Sequence, residues 1–572
     1  MRVLGISHAI DAAAALVEDG TPLAAVTDER FARRKHSRDF PVSSIEYCLG
    51  HGGMTLADLD GVAFFWNPGI HLESFNTRRA GSIRHHSEYL ASLPQHLLAL
   101  DPRPWQARRV AWVEQRLCLE GEQRPLTLTY VTHHLAHAAG CFFLSPFEEA
   151  AILTVDGYGE RAAAFLGRGR GETIEALHEI EFPHSLGAFY AAMTQYLGFL
   201  PNCDEGKVMG LAGHGEPRVA SALSEIVRLI PGGGIEVDLS YFGYHQERPR
   251  RYAQKLVDLL GPERTPGTPI EDRHQDVAAS TQRVLEEGML HLARHLRERT
   301  GLRRLCLAGG VALNCVANTR VLEEAGFEDA FIQPAAGDNG AALGAALFVT
   351  HQLRGCPRPP GPYTDFLGPS VSDDETERAL REARVPYHRP DDIAEVVADR
   401  LARGSIVGWV QGRMEYGPRA LGARSILGDP RDARTKERLD ATIKRREPFR
   451  PYAPAVLAAA RARFFDGPGD SPFMLKSFRV RPEVRATIPA VVHVDGSARV
   501  QTVHESLSPL FARLIQAFDR RTGVPIVLNT SFNGRGETIV VGVHDALRCF
   551  FTTGLDALAI GPYLVEKEGR PR

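Results

Sequence analysis

Two histidines in Thr132-His133-His134-Leu135-Ala136-His137-Ala138-Ala139 carry the first chemical signal of this sequence. Ala and Leu favour a helix here, and in a helix His133 and His137 stand four apart on one face, nearly stacked. Two imidazoles so placed can hold one metal ion, although the same pair also serves as ordinary helix histidines. Two carboxylates further along extend the set: Asp156 in Leu153-Thr154-Val155-Asp156-Gly157 and Asp338 in Gly337-Asp338-Asn339-Gly340, each expected at a strand or loop end. With them a mixed nitrogen–oxygen shell would be complete. Asp338 precedes a small-residue helix and is therefore also a natural N-cap. His134 falls off the shared face and reads as a structural or supporting residue.

A second group of residues is cationic. Arg413, Arg419 and Arg424 fall in Gln411–Ser425, and Lys444, Arg446 and Arg450 fall in Lys444-Arg445-Arg446-Glu447-Pro448-Phe449-Arg450-Pro451. Their Gly-Pro and Glu-Pro neighbours fix the backbone in a way that solvated surface arginines do not need, and guanidinium groups suit bidentate capture of phosphate oxygens. Ser531 and Asn533, at the end of an expected strand Pro525–Leu528, could finish an anion cradle. Lys207, between Gly206 and Gly210, is a further phosphate or substrate contact, or simply part of a turn. Gly309-Gly310 ahead of Asn314 would let backbone N–H groups approach a phosphate at a helix N-terminus, although tight strand-to-helix turns need glycine anyway.

These groups must be positioned by something. Residues 2–30 read as a three-strand meander: Arg2–Ser7, Ala12–Val17, then the turn Glu18-Asp19-Gly20 into Leu23–Val26. The pattern returns in Ala151–Val155, Arg161–Leu166, a turn Gly167–Gly171 and Thr173–Ile180. Each copy places polar residues at its first bend, His8 and Asp11 in one, Asp156 and Glu160 in the other. Such a duplication is how an actin-like α/β architecture presents itself, with a nucleotide or metal held between two similar lobes; unrelated α/β units also repeat in this way. Residues 215–270 read as an irregular excursion, 273–300 as a long amphipathic helix, and Leu305–Ala308 and Ala330–Gln333 as strands. Four prolines in Gly355-Cys356-Pro357-Arg358-Pro359-Pro360-Gly361-Pro362 cannot propagate a helix or central strand. The stretch marks an expected boundary between domains 1–355 and 364–572.

The bulk composition sets the frame. At 572 residues the chain exceeds what one core supports, and 44% hydrophobic with 24% charged residues is an ordinary globular balance. A net charge of −3 offers no basic excess for nucleic acid or an anionic membrane. Eight scattered cysteines without a C-x-x-C pair argue against a disulfide framework or thiolate zinc site and suit a reducing cytoplasm. With no signal-peptide apolar region and no membrane-length apolar run, a soluble cytoplasmic protein is expected.

Over nearly its whole length the chain resembles the NodU/CmcH-type O-carbamoyltransferases. The resemblance is carried by Asp28-Glu29-Arg30-Phe31 with Lys35-His36, the His133/His137 stretch, Val155-Asp156-Gly157, Gly206-Lys207-Val208-Met209-Gly210-Leu211, Gly309-Gly310 with Asn314, and Gly337-Asp338. Later blocks are Gly417-Pro418-Arg419-Ala420-Leu421-Gly422, Arg446-Glu447 with Arg450-Pro451, Gln501-Thr502-Val503 and Leu528-Asn529-Thr530-Ser531-Phe532-Asn533. It implies an N-terminal actin-like (ASKHA) duplicated α/β domain, related to tRNA threonylcarbamoyl transferases, and a C-terminal YrdC-like twisted α/β domain. The C-terminal site would condense carbamoyl phosphate with ATP and Mg2+ to carbamoyl-adenylate. The N-terminal site would move the carbamoyl group to the hydroxyl of a small-molecule acceptor, as in antibiotic biosynthesis, using a divalent metal (iron(II) in related enzymes) and releasing AMP. Carried over, His133, His137, Asp156 and Asp338 form the metal shell, and Lys444, Arg446, Arg450, Ser531, Asn533, Arg419, Arg424 and Arg499 cradle carbamoyl phosphate and nucleotide phosphates.

One departure stands out: the relatives carry a His before the Asp of the first hairpin, a candidate base, where this chain has Ile10 before Asp11. His8 or Asp11 is the expected replacement; the alternatives are deprotonation of the acceptor by other means, or a transfer step that is altered or lost. The acceptor pocket is expected to be lined by residues 65–110 and 215–270. A homodimer is compatible with the sequence. Two rival functions are a tRNA-directed carbamoylation enzyme, disfavoured by the near-neutral charge, and a non-catalytic nucleotide-binding regulator, disfavoured by the cation set and the four candidate ligands.

Overall fold

The first strand, β1 (Arg2–Ser7), pairs antiparallel with β2 (Ala13–Glu18), which pairs antiparallel with β3 (Thr21–Thr27). On its other side β1 runs parallel to β4 (Gly61–Phe64), and β4 parallel to β6 (Leu126–Val131), with β5 (Trp112–Leu117) antiparallel at the edge. The same arrangement recurs. β7 (Glu149–Val155), β8 (Ala162–Arg170) and β9 (Thr173–Glu181) form an antiparallel meander. A hairpin of β10 (Val227–Ile230) and β11 (Gly234–Val237) stands apart; then β12 (Arg304–Ala308) lies parallel to β7, and β13 (Asp329–Ile332) parallel to β12. The sheet orders β3-β2-β1-β4-β6 and β9-β8-β7-β12-β13 are therefore one topology used twice, the actin-like duplication expected from the two meanders. The computed structural model describes residues 1–8, 11–67, 111–118, 124–246 and 249–567.

By its internal contacts the chain divides into two units, Met1–Thr27 with Arg38–Tyr363, and Asp28–Ser37 with Thr364–Arg572. The second unit has its own mixed sheet of eight strands. Their order is β14 (Tyr387–His388), β24 (Tyr563–Glu566), β23 (Ala557–Ile560), β15 (Val407–Val410), β16 (Arg424–Gly428), β22 (Ile526–Ser531), β17 (Ala453–Leu457) and β21 (Gln501–Val503). A smaller sheet joins β18 (Phe465–Asp466), β19 (Ser477–Val480) and β20 (Ser497–Arg499). The core of this unit is a continuous apolar cluster that includes Trp409, Ile426, Phe511, Phe518 and Leu558. Among the described residues no helix is long and apolar enough to cross a membrane.

Two helices of the first unit matter most, the histidine helix His133–Phe142 and the aspartate helix Asp338–Leu347. They approach closely because glycine removes the side chain at the crossing: a Cβ on Gly344 would lie 1.9 Å from the Ala136 carbonyl oxygen. Any larger residue there would push the backbones apart.

Two expectations need correcting. The turn expected at Gly167–Gly171 is mostly strand, since β8 runs to Arg170; Gly169 serves packing, a Cβ there meeting the Phe142 ring at 2.6 Å. Residues 215–270 are not irregular: they hold the helices Ala220–Ile226 and Gln254–Leu260 and the β10–β11 hairpin, each too short to show a period in sequence. Within the Pro-rich stretch Arg358 donates to the Phe142, Phe143, Ser145 and Phe147 carbonyls at the end of the histidine helix.

Candidate functional site

The histidine helix starts directly after β6, with Thr132 in extended backbone as its N-cap. One helical turn then brings the His133 and His137 rings edge to face, centroids 4.5 Å apart and Nε2 atoms 3.1 Å apart. Asp156 follows the last residue of β7. Its carboxylate stands 3.2 Å from His137 Nε2 and 3.7 Å from His133 Nε2. Asp338 opens the aspartate helix at 3.6 Å and 3.7 Å from the same two nitrogens. It is not the N-cap, a position held by Gly337, and no side chain caps this helix. One ligand atom from each of the four residues lies within 4.8 Å of all the others.

This cluster is short of positive charge. Burial alone would lower the His137 imidazolium, but hydrogen bonds to Asp156 and Asp338 push it up to about 9. Burial would likewise raise the Asp156 carboxyl, yet His133 and His137 hold it well below the usual carboxylate range. Asp338 is raised, by burial first and by the nearby Asp156 charge as well. Two half-buried carboxylates so close together, beside two buried imidazoles, call for a compensating cation. Protons on imidazole supply one; a divalent metal supplies more, and two imidazole nitrogens with two carboxylate oxygens form a donor set that first-row metals accept. The residues fit the metal.

The cluster is braced from behind. Gly157 N–H donates to Asp156 Oδ1 at 2.6 Å and Gly310 N–H to Oδ2 at 2.8 Å. Gly309 makes this possible: its φ is +88°, and a Cβ would sit 2.3 Å from the Val155 carbonyl oxygen. The Gly309-Gly310 pair thus orients the Asp156 carboxylate, where the sequence pointed to a phosphate contact. Asn314 is the N-cap of the helix that follows, accepting from Ala317 N–H at 3.0 Å and donating to Gln282. Lys207 pairs with Asp204 at 3.0 Å and lies 5.5 Å from the Phe199 ring centre. His134 points away, its Nδ1 2.6 Å from Thr154 Oγ1 and its Nε2 3.1 Å from the Ala162 carbonyl. His8 stands exposed at the end of β1, its ring meeting Phe40 edge-on, and Asp11 has φ +64°. Ile10 and residues 68–110 of the expected acceptor lining are outside the described residues.

In the second unit Lys444 is buried at the end of Asp440–Lys444. Its ammonium donates to the Ser531 carbonyl at 2.5 Å, to Asn533 Oδ1 at 2.7 Å and to the Asn533 carbonyl at 3.1 Å. Burial, then the neighbouring Arg446 with Lys35 and Arg450, holds it well below the usual lysine range. Arg446 is fixed by Asp440 at 3.0 Å and lies 4.1 Å from the Tyr452 ring centre; Arg450 is 3.9 Å from Glu447. Ser531 ends β22 and Asn533 lies two residues on, so the strand terminus supplies the acceptors of Lys444.

Not every expected cation joins this group. Arg424 is fully buried and its guanidinium is spent on the Pro369, Gln411, Gly412, Ala423 and Val541 carbonyls, so it ties loops together instead of facing an anion. Arg413 donates to the Leu367 and Gly368 carbonyls. Arg419 is half-buried in the loop Gly417–Gly422, and Arg499 ends β20.

Residues 2–347 match the family description Carbamoyltransferase N-terminus, and residues 398–567 match Carbamoyltransferase C-terminus. The chain belongs to the carbamoyltransferase family. It is 41% identical to an uncharacterized protein of Synechocystis sp., over 100% of this chain and 97% of that one. It is 39% identical to the nodulation protein NolNO of Sinorhizobium fredii, over 97% and 79% of the two chains. To the 3'-hydroxymethylcephem-O-carbamoyltransferase of Amycolatopsis lactamdurans it is 30% identical, over 75% and 79%. A solved structure, component A of (R)-2-hydroxyglutaryl-CoA dehydratase from Acidaminococcus fermentans, aligns at TM-score 0.33 and 15% identity over 62% of this chain and 99% of that one. The actin-like description rests on the repeated strand order.

Two supporting residues of this carbamoyltransferase are given no role by the sequence: Glu160 is noted there only for its place at a bend, and Glu415 is not singled out. Glu160 accepts from His133 N–H at 3.0 Å and Asn67 N–H at 2.6 Å, and burial pushes it up to about 7. A polar residue at the β7–β8 bend was the only hint of it. Glu415 accepts from Leu421 N–H at 2.6 Å and Ala423 N–H at 2.8 Å, shaping the loop that carries Arg419.

Proposed function

We propose that this enzyme is an ATP-dependent O-carbamoyltransferase acting on a hydroxyl of a small-molecule acceptor, with iron(II) as its metal. Its second unit hydrolyses carbamoyl phosphate to carbamate and phosphate and joins the carbamate to ATP as carbamoyl-adenylate with release of pyrophosphate, and its first unit transfers the carbamoyl group to the acceptor oxygen and releases AMP. The observation that carries the reading is the separation of two unlike sites, a carboxylate–imidazole cluster in one unit and a lysine–arginine cluster in the other. The relative named as a cephem O-carbamoyltransferase supports a hydroxyl acceptor.

Carbamoyl phosphate and ATP are both polyanions, and bringing them together needs fixed positive charge. Lys444 is oriented by Ser531 and Asn533, while Asp440 and Tyr452 hold Arg446. Arg450 and Arg419 would complete the phosphate contacts. In the first unit His133, His137, Asp156 and Asp338 would hold the metal, with Gly157, Gly310 and Glu160 fixing their orientation. A divalent metal there supplies Lewis acidity toward the carbamoyl carbonyl. The acceptor hydroxyl must lose a proton to a base within reach, a role given to His8 or Asp11.

The test is mass spectrometry of the full chain incubated with ATP, carbamoyl phosphate, Mg2+ and iron(II). Carbamoyl-adenylate is expected, followed on addition of a suitable alcohol by a carbamate and AMP. Absence of the adenylate under these conditions contradicts the proposal. The His8→Ala variant should lose transfer and keep adenylate formation; unchanged transfer would remove His8 from the role.

A further inference from the structure

A row of aromatic rings leads away from the carboxylate–imidazole cluster inside the first unit. Measured between ring centres, Trp66 stands 5.4 Å from His133, Tyr158 6.3 Å from Trp66, Phe182 5.8 Å from Tyr158 and Tyr244 6.1 Å from Phe182. Trp66 and Tyr244 are buried, while Tyr158 and Phe182 are only half-buried. Half-buried rings in line with a reacting centre offer an apolar platform to a ligand that extends from it.

The far end of the row is held by the chain around Tyr244. Val237 N–H donates to His184 Nδ1 at 3.1 Å, and the Tyr244 hydroxyl donates to the Pro183 carbonyl at 2.9 Å. Phe242 bridges to Tyr252, and Gly243 N–H donates to the Arg251 carbonyl at 2.8 Å, which brings Arg251 to the Tyr244 end of the row. Arg251 N–H in turn donates to Gln195 Oε1 at 2.7 Å. The two adjacent arginines are treated differently. Arg250 pairs with Glu263 at 3.0 Å and lies 4.7 Å from the Tyr252 ring centre. Among the described residues the half-buried Arg251 guanidinium has neither a hydrogen bond nor an ion pair. Burial lowers it from the usual arginine range, with the like charge of Arg38 adding to this against the attraction of Tyr158 and Glu205. A guanidinium keeps its proton in proteins, so its partial burial without a partner is costly. An anionic group on a ligand removes that cost.

We propose that Tyr158 and Phe182 form the platform for the acceptor and that Arg251 is a specificity-determining residue at its end. The acceptor then carries an anionic group, carboxylate or phosphate, on a ring or apolar body that separates it from the hydroxyl to be carbamoylated. The inference rests on the reading of the first unit as the transfer site and names the substrate class of that site.

Calorimetric titration of the full chain with 4-(hydroxymethyl)benzoate, with its uncharged amide and with 4-(hydroxymethyl)phenyl phosphate tests this. The unaltered protein should bind at least one of the two anions about tenfold more tightly than the amide, the scale of one charge-assisted contact; the tighter anion identifies the group. Arg251→Gln should abolish that preference and leave amide binding unchanged, and Arg251→Lys should keep part of it. Phe182→Leu should weaken anion and amide alike, about threefold for the lost ring contact. The thermal midpoint of Arg251→Gln should match that of the unaltered protein, because no partner is lost, and its carbamoyl-phosphate-dependent pyrophosphate exchange should be unchanged. Equal binding of anions and amide, or a loss in Arg251→Gln that falls on AMP instead of the acceptor probes, would overturn the inference and leave the proposed function standing. Absence of pyrophosphate exchange in the unaltered protein would overturn the proposed function and this inference with it.

Discussion

His137 and Lys444 link ligand binding to protons in opposite senses. A metal must displace the proton that Asp156 and Asp338 stabilise on His137, whose pKa is pushed up to about 9. Below that pH metal binding therefore releases a proton, so affinity should climb from about pH 6 to about pH 9, at most tenfold per unit for one proton. Iron(II) titrations across that range check the slope, and a flat profile would contradict it. Lys444 starts from the other side. Burial and the nearby Arg446, Lys35 and Arg450 favour its neutral form, and an arriving phosphate restores the proton. Anion affinity should accordingly fall as pH rises. Calorimetry in two buffers of different ionisation heat should register net proton uptake; proton release would contradict the assignment.

The elements that hold the proposed metal ligands can be perturbed away from those residues themselves. At the crossing of the histidine and aspartate helices, Gly344→Ala would place a Cβ 1.9 Å from the Ala136 carbonyl oxygen. The helices must separate, at a cost of about 1–3 kcal/mol typical of overpacking. Since Asp338 and His133/His137 lie on opposite sides of that crossing, metal affinity should fall together with thermal stability, measured by titration and by melting. At the far end of the histidine helix, Arg358 places a cation against the terminal carbonyls, where the helix dipole favours it, and stacks 4.7 Å from the Phe142 ring centre. Arg358→Ala should cost about 2–3 kcal/mol by orphaning those carbonyls. Arg358→Lys should recover only part, because an ammonium cannot reproduce the fork of guanidinium donors. A melting point within a degree of the unaltered protein would refute this account of the Pro-rich stretch.

Across the whole molecule, what could be read from sequence was what is local. The His133–His137 spacing, the two meanders and the strands β12 and β13 announce themselves within short windows, and the family blocks extend that reading to both halves. What stayed hidden is non-local. Arg424 looks like a phosphate ligand until its partners, carbonyls as distant as Pro369 and Val541, are known. Gly310 looks like a phosphate loop until its N–H is found on Asp156, from a strand laid down 154 positions earlier. The assignment of Asp28–Ser37 to the second unit leaves no compositional trace, because the partners that hold Arg30 and Arg33 lie hundreds of positions away. The order β14-β24-β23-β15-β16-β22-β17-β21 is equally beyond local pattern. The central claim, that activation and transfer belong to separate sites, is tested most directly by carbamoyl-phosphate-dependent exchange of labelled pyrophosphate into ATP, measured in Lys444→Ala and His137→Ala. The account expects exchange to disappear in Lys444→Ala and to persist in His137→Ala; exchange that survives the first change or requires His137 would contradict it.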